Sequence, residues 1–128
     1  MSYYFSKITD LSYEDAIART TAALKEEGFG VLTKIDVKAT LKEKIDVDFP
    51  RDVILGACNP KFAHKALQSE PHIGNMLPCN VVVRENEAGQ IEVFAVDPIA
   101  SMSAVENPEL GAVAKEVQQK LKAVIENI

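Results

Sequence analysis

An α+β fold, a largely antiparallel five-stranded sheet with helices packed on it and a long C-terminal helix, is what this sequence predicts. Three observations carry that expectation. "CNVVVRE" and "IEVFAVD" are strand-like runs separated by the four residues Asn86 to Gly89, which dictates a hairpin and antiparallel pairing. Strand-like and helix-like segments otherwise alternate, in the order β α β α β α β β α. The chain closes on an amphipathic stripe (Leu110, Val113, Ala114, Val117, Leu121, Val124, Ile125, Ile128) suited to covering one face of a sheet. A parallel doubly wound sheet would need a crossover helix where only the hairpin turn stands.

Tyr3 to Ile8, with aromatics and a β-branched residue, reads as the first strand. "DLSYED" starts a helix: Ser12 can accept from the Asp15 N–H, Glu14 and Asp15 suit the positive end of the dipole, and Leu11 can staple onto Ala16. Tyr13, Ala16, Ile17, Thr20, Ala23 and Leu24 keep helical spacing, and Gly28 is a left-handed stop. "FGVLTKIDV" follows as a strand with Phe29, Val31, Thr33, Ile35 and Val37 on one face, a pattern that Leu32 interrupts. "KATLKEKI" gives a short helix with Leu41 and Ile45 inward, and "FPRD" a turn. "DVILGAC" is continuously apolar and short, the mark of a central strand.

Asn59 then supplies an N-cap and Pro60 the first helical position; Phe62, Ala63, Ala66 and Leu67 form the inner side of this helix. Glu70-Pro71 ends it, "HIGNMLP" is a loop, and "PIASMSAVE" is an irregular apolar connection. Asn107-Pro108 repeats the cap-plus-proline start before the last helix, whose wet side pairs Glu116 with Lys120.

The 128 residues suffice for one domain, 1–128, with a core that needs no staples. Hydrophobic residues at 47% and charged residues at 26% fit a globular chain. Fourteen Lys and Arg against 19 Asp and Glu leave a net charge of −5, and no basic run offsets it, which disfavours nucleic acid as a partner. "MSYYFSKITD" carries no apolar signal region and no run is long enough to span a bilayer; the expectation is a cytoplasmic protein without a membrane partner, its two cysteines reduced.

Cys58 stands at the end of the central strand and beside a helix N-terminus, a setting that can favour a thiolate. The plainer account is a small apolar filler in a tight turn. Cys79 opens the following strand, so antiparallel neighbours would bring the two sulfurs to one rim of the sheet. No CxxC pair or zinc tetrad is present, and no metal site is expected. Cys58, His64 and Cys79 together would offer a soft metal three donors, or a thiol its base, but His64 lies more than a turn up the helix; it and His72 read more simply as solvated. Glu70 and Asp97 each precede a proline, where they punctuate an element, or else place a carboxylate near the cysteines as a proton acceptor. No phosphate loop, nucleophile elbow or HExxH pattern is present, so no cofactor can be named. Met76, Leu77, Pro98, Ile99 and Met102 make two apolar loops that could close over the core, line a pocket or join two copies in a homodimer.

With "ILGACNP", "AHKAL", "LPCNVVV" and "VFAVDP" in view, the chain resembles a widespread prokaryotic family known as a domain of unknown function, the three-hundred-and-second of that series. The likeness runs over nearly the whole chain and is densest from Ile54 to Pro98. It implies a compact α+β domain, found as a small cytosolic protein or fused to others, without assigned catalytic roles. The family motifs fall on Cys58, Asn59, Pro60, Glu70, Pro71, Pro78, Cys79, Asp97 and Pro98. Asn75 stands where the family usually has an aliphatic residue, making that loop more polar here.

Three functions remain open. The first is small-molecule binding or interaction at the Cys58/Cys79 rim, with Asn59, His64, Glu70 and Asp97 as further candidates. The second is a thiol-dependent enzyme, or a redox- or metal-responsive protein, using Cys58. The third is a structural homodimerising domain.

Overall fold

The structure, a computed structural model, describes residues 2–128. Its five strands are β1 (Tyr4–Thr9), β2 (Gly30–Asp36), β3 (Asp52–Cys58), β4 (Cys79–Glu85) and β5 (Ile91–Val96). They form one antiparallel sheet in the order β1-β5-β4-β3-β2. The helices are α1 (Tyr13–Glu26), α2 (Val37–Ile45), α3 (Pro60–Ser69), the single turn α4 (Pro98–Ser101) and α5 (Pro108–Glu126). This is the expected α+β architecture. The loop after α3 is wound into a 3-10 helix over Pro71–Met76.

Local signals decide where α1 starts and stops. Ser12 accepts from the Asp15 N–H, and the chain leaves the helix through Gly28 at φ 86°. There Gly28 N–H donates to the Lys25 carbonyl and Phe29 N–H to that of Leu24, the paired bonds of a Schellman stop. Phe29 and Leu24 are both buried, so the stop also aims β2 into the core. At the far end of β3, Arg51 lies over the Tyr13 ring at 4.8 Å and pairs with Glu14 at 3.4 Å and Glu85 at 3.2 Å. This clamp ties the start of α1 to the sheet, where the sequence showed only a turn.

One sheet face carries the core. Val53, Leu55 and Ala57 of β3, Cys79, Val81 and Val83 of β4, and Ile91, Val93 and Ala95 of β5 alternate inward. They meet the stripes of α1 and α5, both of which pack against β5. The other face presents Tyr4, Ile8 and Ile35 to solvent, with Val82, Phe94 and Val96 half-buried.

β2 departs from the expected pattern. Val31 pairs with Ala57 but Thr33 with Gly56, so Leu32 is an extra residue in a bulge. The bulge reverses the alternation, and Thr33 and Ile35 turn to the open face instead of joining Phe29 and Val31. α2 differs too: it buries no residue, and Ile45 is 62% exposed rather than inward. On α3, Leu67 is exposed, leaving Phe62, Ala63 and Ala66 as the inner side. On α5, Lys120 reaches Glu27 of α1 at 3.9 Å. Among the described residues no helix is long and apolar enough to cross a membrane.

Candidate functional site

The rim at which β3 ends and β4 begins is assembled by sheet register. Ala57 faces Cys79 across the β3–β4 ladder, and Cys58 faces Gly30 across β2–β3. The two cysteines thus stand on adjacent strands at one end of the sheet, both unbridged; Cys58 is half-buried and Cys79 buried.

Between them and the helices is an apolar slot with a volume of about 30 Å³. Cys58, Ala57 and Cys79 supply its sheet side, and Phe29 one end. Phe62, Ala63 and Ala66 of α3 face Val113, Ala114 and Val117 of α5 across it. Leu77 and Pro78, joined by a cis peptide bond, and Met102 complete the rim. Asn59 is the polar residue among these. The space is that of about one water molecule, far below the ~300 Å³ at which preformed sites for drug-sized ligands begin.

The backbone frame around the slot is tight. Gly56, inside β3, faces Thr33 and Asn80. A Cβ added there would overlap the Thr33 hydroxyl and stand 2.8 Å from Pro78 Cγ. Asn59 does not cap α3 with its side chain. Its Nδ2 instead donates to the Glu27 carbonyl at 3.4 Å, fastening the Cys58 segment to the end of α1.

Burial governs the chemistry of Cys79. Burial, and secondarily the neighbouring Cys58, push the Cys79 thiol from an ordinary 9.0 up to about 11. At neutral pH Cys79 is a neutral thiol on the floor of an apolar space.

The remaining candidates lie elsewhere. His64 is exposed and does not border the slot, so the Cys58/His64/Cys79 trio does not form. Among the described residues no three His, Cys, Asp or Glu side chains gather as a metal site. Glu70 lies 3.4 Å from His72 Nδ1 at the end of α3. Asp97 accepts from the Ile99 N–H, capping α4, and from Gln118 Nε2 at 3.1 and 3.2 Å. Both carboxylates do the punctuation their proline neighbours implied, and neither borders the slot.

The apolar loops divide. Pro98 is buried, and Leu77 and Met102 pack beside a second cluster of Ala66, Ile73 and Leu110, while Met76 and Ile99 stay exposed. Met102 as a slot residue was read from sequence only as part of a loop. The α4 turn places it there, and a four-residue helix inside an irregular stretch leaves little periodic trace.

The model of the family "Domain of unknown function DUF302" matches residues 5–128. An uncharacterized protein of Aquifex aeolicus (strain VF5) is 30% identical over 90 residues, 70% of this chain. The match spans only 56% of that relative's own length. The crystal structure of an uncharacterized conserved DUF302 protein from Bacillus stearothermophilus superposes with a TM-score of 0.92 at 29% identity. That alignment covers 99% of this chain and 98% of the other.

Proposed function

We propose a binding role for this protein, which belongs to the DUF302 family. Its site is the slot at the β3–β4 rim, and its ligand is uncharged or soft and only a few heavy atoms in size. The observation that carries this reading is the convergence of the two cysteine-bearing strand ends and the apolar sides of α3 and α5 on one unfilled space. Interiors are close-packed, so a space bordered by four alanines and two cysteines is a departure to be explained. The apolar lining disfavours charged ligands, whose desolvation nothing there offsets. His64, Glu70 and Asp97 drop out of the site, while Asn59 stays as its polar rim. Unbridged thiols fit a reducing cytoplasm.

Methyl NMR under xenon, and separately with methanethiol, tests the reading. Ala57, Ala63, Ala66 and Ala114 methyls are expected to shift together, and Ala63→Leu to abolish the response. Absence of shifts with both probes, or shifts that persist in the filled variant, would sink it.

A thiol-dependent enzyme or redox- or metal-responsive protein using Cys58 is the weaker alternative, because no His, Asp or Glu borders the slot to serve that thiol as a base. Homodimer formation is a second reading with its own observation, the open sheet face with exposed Tyr4, Ile8 and Ile35. Near its middle, Arg84 Nε lies 3.2 Å from Glu92 Oε1 on the next strand. A two-fold axis between β4 and β5 would let two copies exchange these charges. Sedimentation of Val82→Asp is expected to give monomer from a dimeric parent; a parent already monomeric at high concentration removes this reading.

A further inference from the structure

We propose that the slot is the inner end of a longer site whose ligand is a short unbranched alkyl chain with a small uncharged oxygen head group. The terminal methyl sits in the slot and the head in a groove beyond Met102. This rests on the slot being a binding site and names its ligand class. Where the α4 segment meets the first turns of α5 there is an open groove of about 240 Å³, bordered by Ile99, Val105 and Leu110. Groove and slot share two wall residues, Met102 and Ala114. Ala114 is buried on α5 and held by its helix. Met102, half-buried on the residue after α4, carries an unbranched thioether chain that can change rotamer. Met102 is the movable partition. With it turned aside, the two spaces join and approach the ~300 Å³ at which sites for small molecules begin.

Shape and polarity choose the chain. A volume of about 30 Å³ takes one small group, which a straight chain ends in and a branched end exceeds. Asn59, the polar residue bordering the slot, already donates its amide to the Glu27 carbonyl, so the head group belongs at the other end. There Ser103, Asn107 and Lys115 border the groove, and an oxygen can hydrogen-bond to them while staying wet. A separate observation marks the groove as space kept open. Gly111 stands inside α5, where glycine weakens a helix relative to alanine, yet a Cβ there would meet nothing within 4 Å. No neighbour within the protein requires that glycine, and its bare backbone widens the groove. Small residues thus line both ends of the path, alanines around the slot and Gly111 along the groove.

The test uses n-alkanols from propanol to hexanol, titrated into the protein and followed by alanine and methionine methyl NMR. Each added methylene is expected to tighten binding about fourfold, and the Ala63, Ala114 and Met102 methyls to shift together. Isohexanol, whose forked end the slot does not admit, should bind on the order of tenfold more weakly than hexanol. Gly111→Leu fills the groove from an exposed helix position without loss of helix propensity. It should abolish the hexanol-induced shift at Ala63 and leave the xenon-induced one. Affinity that does not rise with chain length, isohexanol binding as tightly as hexanol, or hexanol binding unchanged in Gly111→Leu would each overturn the proposal. Xenon-induced shifts with no response to hexanol would overturn the alkyl-chain assignment while leaving the slot as a site. Absence of both would remove the two readings together.

Discussion

Replacing Gly56 by alanine probes how closely the sheet and the segment before β4 are fitted. The new Cβ would overlap the Thr33 hydroxyl, stand 2.8 Å from Pro78 Cγ and lie 3.4 Å from Thr33 Cβ. The two neighbours respond differently. Thr33 is exposed on the outer strand β2, so a change of χ1 can take its hydroxyl away for about 1 kcal/mol or less. The Pro78 ring has no such freedom, and the Leu77–Cys79 segment must move; overpacking of this kind typically costs about 1–3 kcal/mol. Alanine restricts the unfolded chain more than glycine does, which returns roughly 0.5 kcal/mol. The balance is a destabilisation of about 2 kcal/mol, equivalent to a fall in Tm on the order of 8 °C for a chain of this size. Urea unfolding with an unchanged m-value measures it, and adding Thr33→Ala should restore only the part owed to the hydroxyl. Because Leu77 and Pro78 border the slot, Cys79 should also alkylate faster in Gly56→Ala. Stability within about 0.5 kcal/mol of the parent would refute the close-contact reasoning.

Gly28→Ala places a side chain at φ 86° and 3.0 Å from Asn59 Nδ2, and should cost about 1–2 kcal/mol in chemical unfolding. Ser12→Ala removes the cap accepting from Asp15 and should cost about 1 kcal/mol by the same assay. Cys79 makes stability pH-dependent at the alkaline end. Its folded pKa of about 11 exceeds the ordinary 9.0, so the native state holds the proton more tightly. That contribution is intact below about pH 9 and is lost as pH rises towards about 11, by up to ~3 kcal/mol at about 1.4 kcal/mol per unit. The difference in unfolding free energy between the parent and Cys79→Ala, followed from pH 8 to 11, should shrink accordingly; a constant difference would contradict the assignment.

The architecture was legible because local chemistry and packing agree along most of the chain. The Ser12 cap, the Gly28 stop, the Asn107-Pro108 start and the stripe of α5 all act through neighbours in sequence, where a reader can find them. The misread positions are those decided at a distance. Leu32 is one residue more than β3 can pair, and only the register against Ala57 and Gly56 shows that Ile35 must face the other way. Ile45 and Leu67 sit on helices of apolar spacing, but no partner layer lies over them, so both end up exposed. Asn59 looked like a side-chain cap; the Glu27 carbonyl, 32 positions earlier in the chain, takes its amide instead. The convergence of Cys58 with Cys79 followed from antiparallel neighbours, whereas Met102 needed the α4 turn that carries it to the same space.

The slot persists because leaving it open is cheap. At about 24 cal/mol per Å³, an unfilled volume of about 30 Å³ costs only ~0.7 kcal/mol, less than many single surface caps contribute. One larger side chain would close it, yet Ala57, Ala63, Ala66 and Ala114 all stay small around two thiols. Ala63 is half-buried on α3, so a leucine there can fill the space with its inner methyls and let the remainder meet solvent, without loss of helix propensity. Ala63→Leu is therefore expected to raise unfolding stability by up to about 1 kcal/mol while abolishing xenon-induced shifts. A gain in stability together with a loss of binding is the signature of a space kept open for a ligand. A variant that loses stability instead, with the slot still responsive, would mean that α3 simply packs loosely and that the alanines serve the helix alone.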